Sequence, residues 1–134
     1  MKRILLRIQL IITCSLICAC ATDNSKFTGR WGTKDKKDGD FTIDLVQTDN
    51  QIQGYHSAVA LHGNRIDAVL PEEGKPSIAG TVIDNIASVQ FRSGYSSATG
   101  DATITHQNNK LVWTINSSTP GHYFPGSAVL YPQK

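Results

Sequence analysis

The stretch FTIDLVQTDNQIQGYHSAVAL, residues 41–61, decides the fold. Its opening alternates: Phe41, Ile43 and Leu45 fall on one face, Thr42 and Asp44 on the other. Side chains two residues apart share a face only in a strand, so this is a strand with one buried side. TDNQ, residues 48–51, breaks the pattern with turn formers, and a second β-rich run over 51–61 follows. Gly54 inside that run predicts a bend or bulge. Two runs joined by so short a link predict antiparallel neighbours.

Outward from this hairpin the same pattern recurs. HGNR, residues 62–65, turns the chain, and Ile66, Ala68 and Leu70 make one face of the next strand. PEEGKP, residues 71–76, is a loop. Runs at 77–83 and 86–91 form a hairpin about Asp84-Asn85, and runs at 98–106 and 111–117 flank QNN. Strands at 27–32 and 127–131 open and close the series. RSGYSS, 92–97, and STPGHYFPG, 118–126, are the longer loops. No segment past residue 26 holds a 3.6-residue period, which excludes an α/β arrangement. Eight or nine short strands with one apolar face predict an all-β, antiparallel up-and-down eight-stranded barrel, with a flattened β-sandwich as the alternative.

The chain's three cysteines, Cys14, Cys18 and Cys20, all lie in its first twenty residues. Met1-Lys2-Arg3 and Arg7 precede an uncharged run from residue 8 to 19. A basic start followed by an apolar stretch too short to span a bilayer is the pattern of a secretory signal. Ile17-Cys18-Ala19-Cys20 resembles a bacterial lipobox, with the small Ala19 just before the cysteine. The resemblance implies residues 1–19 as a lipoprotein signal peptide, acyl chains on Cys20, residues 20–26 as lipidated cysteine and tether, and 27–134 as one domain. Stable anchoring takes more than one acyl chain, and a triacylated cysteine exceeds that. Ala21, rather than Asp, after the cysteine favours the outer membrane, with the domain facing the periplasm or the cell surface. Loss of Lys2, Arg3 and Arg7 lowers Lys+Arg from 13 to 10 against 11 Asp+Glu, so the net charge moves from +2 to about −1. That removes any basic character that would argue for a nucleic-acid partner.

FTGRW, GYHSAV and LVWTINS, in that order along the chain, resemble strands of the avidin and streptavidin family. The resemblance implies a closed barrel, with Tyr55 and Ser57 on hydrogen-bonding positions of the ligand site and Trp113 on a ring-packing one. The first loop departs from that family: it is longer and charged. The middle tryptophan is also missing, since AGTVIDNIASVQF reaches its first aromatic at Phe91. Biotin is therefore not the expected ligand.

Catalytic signals are sparse. No G-x-S-x-G elbow occurs, and His56 and Ser57, adjacent in a strand, point to opposite faces. Asp44 and Asp67 are the conceivable acid/base pair. His56, His62, His106 and His122 are scattered, and DKKDGD, residues 35–40, lacks the ligand alternation of a calcium loop. The expectation is a non-enzyme without metal or cofactor. Its membrane contact is the lipid at Cys20. Its binding residues are Tyr95, Tyr123 and Phe124 on the two long loops, which engage a protein partner, such as an envelope hydrolase to be inhibited. The alternative is a calycin-like carrier, with a small lipophilic ligand in a hollow barrel lined by Tyr55, Ser57 and Trp113. In a third arrangement Tyr123 and Phe124 fold back to plug one barrel end.

Overall fold

The structure, a computed structural model, describes residues 25–36 and 39–134. The stretch read as a signal peptide and lipobox, with Cys20, lies outside the described residues. Among the described residues nine strands follow in order: β1 (Gly29–Gly32), β2 (Asp40–Thr48), β3 (Gln51–Ala60), β4 (Arg65–Val69), β5 (Ile78–Ile83), β6 (Ile86–Arg92), β7 (Thr99–Gln107), β8 (Lys110–Ser118) and β9 (Ser127–Pro132). They pair antiparallel in the order β2-β1-β9-β8-β7-β6-β5-β3, and β2 pairing with β3 closes the ring. The result is an eight-stranded closed barrel with β4 as one extra strand, and the sandwich alternative falls away.

The opening hairpin forms as its alternation demands. Phe41, Ile43 and Leu45 are buried against the axis, and the register from Asp40↔Val59 to Thr48↔Gln51 runs unbroken. The short turns use Asx residues where φ is positive: Asp49, Asp84, and the pair Asn108-Asn109. Small polar side chains tolerate that region better than most.

Gly54 is not a bulge. It is the point where β3 changes partner: Gln51–Gly54 pair with β5, and His56–Ala60 pair with β4. A Cβ at Gly54 would run into the Asp44 carbonyl oxygen. The backbones approach too closely there for any other residue.

Side chains fill the axis. Phe27, Trp31, Ile43, Leu45, Ile104, Leu111 and Leu130 pack into one core with the aromatic group Phe41, Phe91, Trp113 and Phe124. The alternative of a hollow, ligand-carrying interior is corrected by this finding: aromatic rings occupy the axis. Tyr55 and Ser57 do not line it either. Period two places Gly54, His56 and Ala58 inward on β3, so Tyr55 and Ser57 face outward, half-buried, with the Tyr55 hydroxyl donating to the Gly74 carbonyl at 2.9 Å.

The barrel has two unlike ends. Residues 25–28 and the turns at 49–50, 84–85 and 108–109 share one end. There the Phe27 N–H donates to Gln47 Oε1 at 3.3 Å, Trp31 Nε1–H donates to the Phe27 carbonyl at 3.0 Å, and Lys26 Nζ donates to Asn85 Oδ1 at 2.6 Å. The antiparallel course of the strands puts the loops 93–98 and 119–126 at the opposite end.

Candidate functional site

The loop end is organised by a residue that alternation alone would have turned outward. On β4 the apolar set Ile66, Ala68 and Leu70 was the expected inner face. The structure inverts it: Ile66 and Leu70 are exposed, while Asp67 and Val69 are buried. The reason is hydrogen bonding. A buried carboxylate is tolerable only when donors surround it, and four do so here. His56 Nε2 lies 3.0 Å from Asp67 Oδ1, and the Gly94 N–H donates to the same oxygen at 2.7 Å. The Ser93 hydroxyl and the Tyr123 N–H donate to Oδ2 at 2.8 and 3.0 Å. Burial on its own raises the Asp67 carboxyl; the bonds from His56, the Tyr123 N–H, the Ser93 hydroxyl and the Gly94 N–H outweigh it and hold the group well below the usual carboxylate range.

His56 extends the network. An ionised carboxylate can only accept, so Nε2 carries a proton toward Asp67, and on the far side of the ring Nδ1 lies 2.7 Å from the Ser77 hydroxyl. The Phe124 ring lies against the imidazole, with centroids 4.0 Å apart. Ser77, His56 and Asp67 thus stand at the distances of a hydrolytic triad, but with the ring nitrogens exchanged: in such triads the serine takes Nε2 and the aspartate Nδ1. His56 and Ser77 are 2% exposed and Asp67 0%. The network ties β3, β4 and the residue before β5 together. Asp44, the other member of the conceivable carboxylate pair, is exposed on the outer face of β2. The two aspartates therefore do not share a cleft.

Both long loops depend on this tie. Ser93 Oγ, besides donating to Asp67, accepts from the N–H groups of Tyr95 and Ser96 at 3.0 and 3.1 Å, which shapes the turn that carries Tyr95. The Ser96 hydroxyl donates to the Gly121 carbonyl at 2.7 Å, and the Thr99 and Thr119 backbones pair at the loop bases. The aromatic residues then separate by role. Phe124 is buried, within ring contact of Phe41, Phe91 and Trp113, and plugs the barrel end. Trp113 is fully buried, its Nε1–H donating to the Pro125 carbonyl at 2.9 Å. Tyr95 remains 51% exposed and meets the half-buried Tyr123 edge to face, centroids 5.0 Å apart. Of the six residues expected to bind, the fold brings Tyr95 and Tyr123 together at the surface, puts Phe124 and Trp113 in the core beneath them, and sends Tyr55 and Ser57 to the outer wall.

Beside the tyrosines lies a cleft of about 430 Å3, its floor formed by Phe41, Ala58, Phe124 and Pro125 and its rim by Asp35, Asp40 and Tyr123. Among the described residues, no group of three His, Cys, Asp or Glu side chains is placed to hold a metal. Sequence reasoning missed the Asp67 network. Its one available signal was an aspartate in the middle of an apolar strand, which marks a buried polar residue as well as it marks a solvent face.

The closed antiparallel barrel is compatible with an avidin-like barrel. No protein-family model, curated protein or solved structure matches the chain.

Proposed function

We propose that this chain is an outer-membrane lipoprotein, anchored through acyl chains on Cys20, whose barrel is a non-catalytic module that binds a protein partner through the Tyr95 and Tyr123 loops. One observation carries the reading. The residues next to the anchor are bound into one end of the barrel, and the aromatic loops stand at the other. A domain tethered by its base presents that loop end away from the membrane. Exposed tyrosines supply large contact area at low entropic cost, and loops already ordered before binding lose little freedom on contact. An apolar cleft beside them suits a side chain inserted by the partner. Inhibition of an envelope hydrolase, or protection from one, is the finer form of this proposal, since inhibitory surfaces of that kind are rigid loops on a rigid scaffold.

The test places a photo-crosslinking amino acid at Tyr95, at Tyr123 and, as a control, at Ser57, in the full chain expressed in its own cells. A discrete protein adduct from the two loop positions and none from Ser57 is expected. No adduct above background from either loop position defeats the proposal. A Cys20→Ala variant tests the anchor separately: it is expected to leave the membrane fraction, and its retention there as processed protein would refute the lipid attachment.

A further inference from the structure

We infer that Asp67 is a positioning residue that seats both aromatic-bearing loops on the barrel as one unit, so that Tyr95 and Tyr123 form a single preformed surface rather than two independent loop tips. The functional value of that surface rests on the binding reading above; the geometry does not.

The Asp67 carboxylate touches both loops and the barrel wall at once. It receives the Gly94 N–H from the first loop and the Tyr123 N–H from the second, 29 positions apart in sequence, while its own strand is fixed to β3 by the register from His56↔Val69 to Ala60↔Arg65. His56 holds it from β3 itself, and Ser77 holds His56 from the start of β5. Ser93 relays the tie outward by donating to Asp67 and accepting from Tyr95 and Ser96. The first loop is also pressed directly onto β4, since a Cβ at Gly94 would run into the Ala68 carbonyl oxygen. The exposed Ser96–Gly121 and Thr99–Thr119 bonds join loop to loop. The loops are therefore stapled to each other at the surface, and both meet the barrel at one buried oxygen pair, with Phe124 and the Pro125 carbonyl as further barrel contacts of the second loop. A charged acceptor bonded by several neutral donors is stronger than any of the surface staples. Its loss should release the unit, whereas loss of one staple should not.

Amide hydrogen exchange on the full chain, in the wild type and in Asp67→Asn and Ser93→Ala variants, tests this. Asp67→Asn keeps the shape and removes the charge. In it, the amides of Tyr95, Ser96 and Tyr123 should all exchange at least about tenfold faster, and the cross-peaks between the Tyr95 and Tyr123 rings should weaken, while β7 and β8 amides change less. In Ser93→Ala, Tyr95 and Ser96 should speed up while Tyr123 stays protected by the carboxylate. A purely stabilising role would raise exchange in every strand by the same factor, and that result overturns the inference. So does an unchanged Tyr123 amide in Asp67→Asn. Where that variant does not fold, the wild type decides: the Gly94 and Tyr123 amides should open with matching protection, and a difference beyond about tenfold refutes the single unit. A crosslinking experiment without a partner would remove the binding proposal and leave this one standing.

Discussion

Phe124 offers the sharpest test of how the barrel end is closed. It belongs to a loop, yet it is only 5% exposed and its ring contacts Phe41, Phe91, Trp113 and His56. Truncation to alanine removes the ring from a packed aromatic cluster. Phe→Ala in a core costs about 3–5 kcal/mol, the transfer term plus the cavity left behind. A loop can settle inward more readily than a strand, which places the expected loss near the lower limit, about 3 kcal/mol. With a urea m-value of about 1.5 kcal/mol/M for a domain of this size, the midpoint falls by about 2 M. At roughly 4 °C per kcal/mol, the thermal midpoint falls by about 12 °C. Trp113, stacked on Phe124 with centroids 5.6 Å apart, reports the transition by fluorescence. Tyr95→Ala is the control, expected to shift stability by less than about 0.5 kcal/mol because the side chain is half in solvent. A Phe124→Ala midpoint shift below about 0.5 M, or one equal to that of Tyr95→Ala, refutes the plug and makes residues 119–126 an ordinary surface loop.

Three further outcomes follow from the same site. The Asp67 carboxyl lies below its ordinary value when folded, so the unfolded chain binds the proton first and stability rises with pH across that window. Its contribution is full above about pH 5 and fades as pH falls through and below about 4. Urea midpoints of wild type and Asp67→Asn should therefore converge on acidification, and a gap that stays constant from pH 7 to 3 contradicts the ionised, bonded carboxylate. Ser77, enclosed with His56 and Asp67, should not react with a fluorophosphonate probe in the folded protein; stoichiometric labelling lost in Ser77→Ala would turn the network into a catalytic one. Gly94→Ala should cost about 1–3 kcal/mol through the clash with Ala68, measured by thermal melts, whereas Gly126→Ala, open on all sides, should cost under about 1 kcal/mol.

The strand count and the closed barrel were legible in the sequence because they rest on local rules. Alternation at Phe41, Ile43 and Leu45 sets which face is buried, and Asx residues at 49, 84 and 108–109 set where the chain reverses. Nearly every strand boundary lies within two residues of the expected one. The same local rules misassigned β4. There the apolar pattern favoured Ile66 and Ala68, and the fold chose Asp67 because donors from β3 and two distant loops converge on it. No window of sequence contains that set. Whether the barrel was hollow was likewise undecidable from composition: it turned on side chains of many strands meeting on the axis, with one loop phenylalanine, Phe124, reaching back to Trp113 to close the end. The division has a physical cause. Periodicity and turn chemistry act between neighbours in the chain, while the satisfaction of a buried charge and the filling of a barrel end are decided by groups that only tertiary structure brings within 3–6 Å of each other.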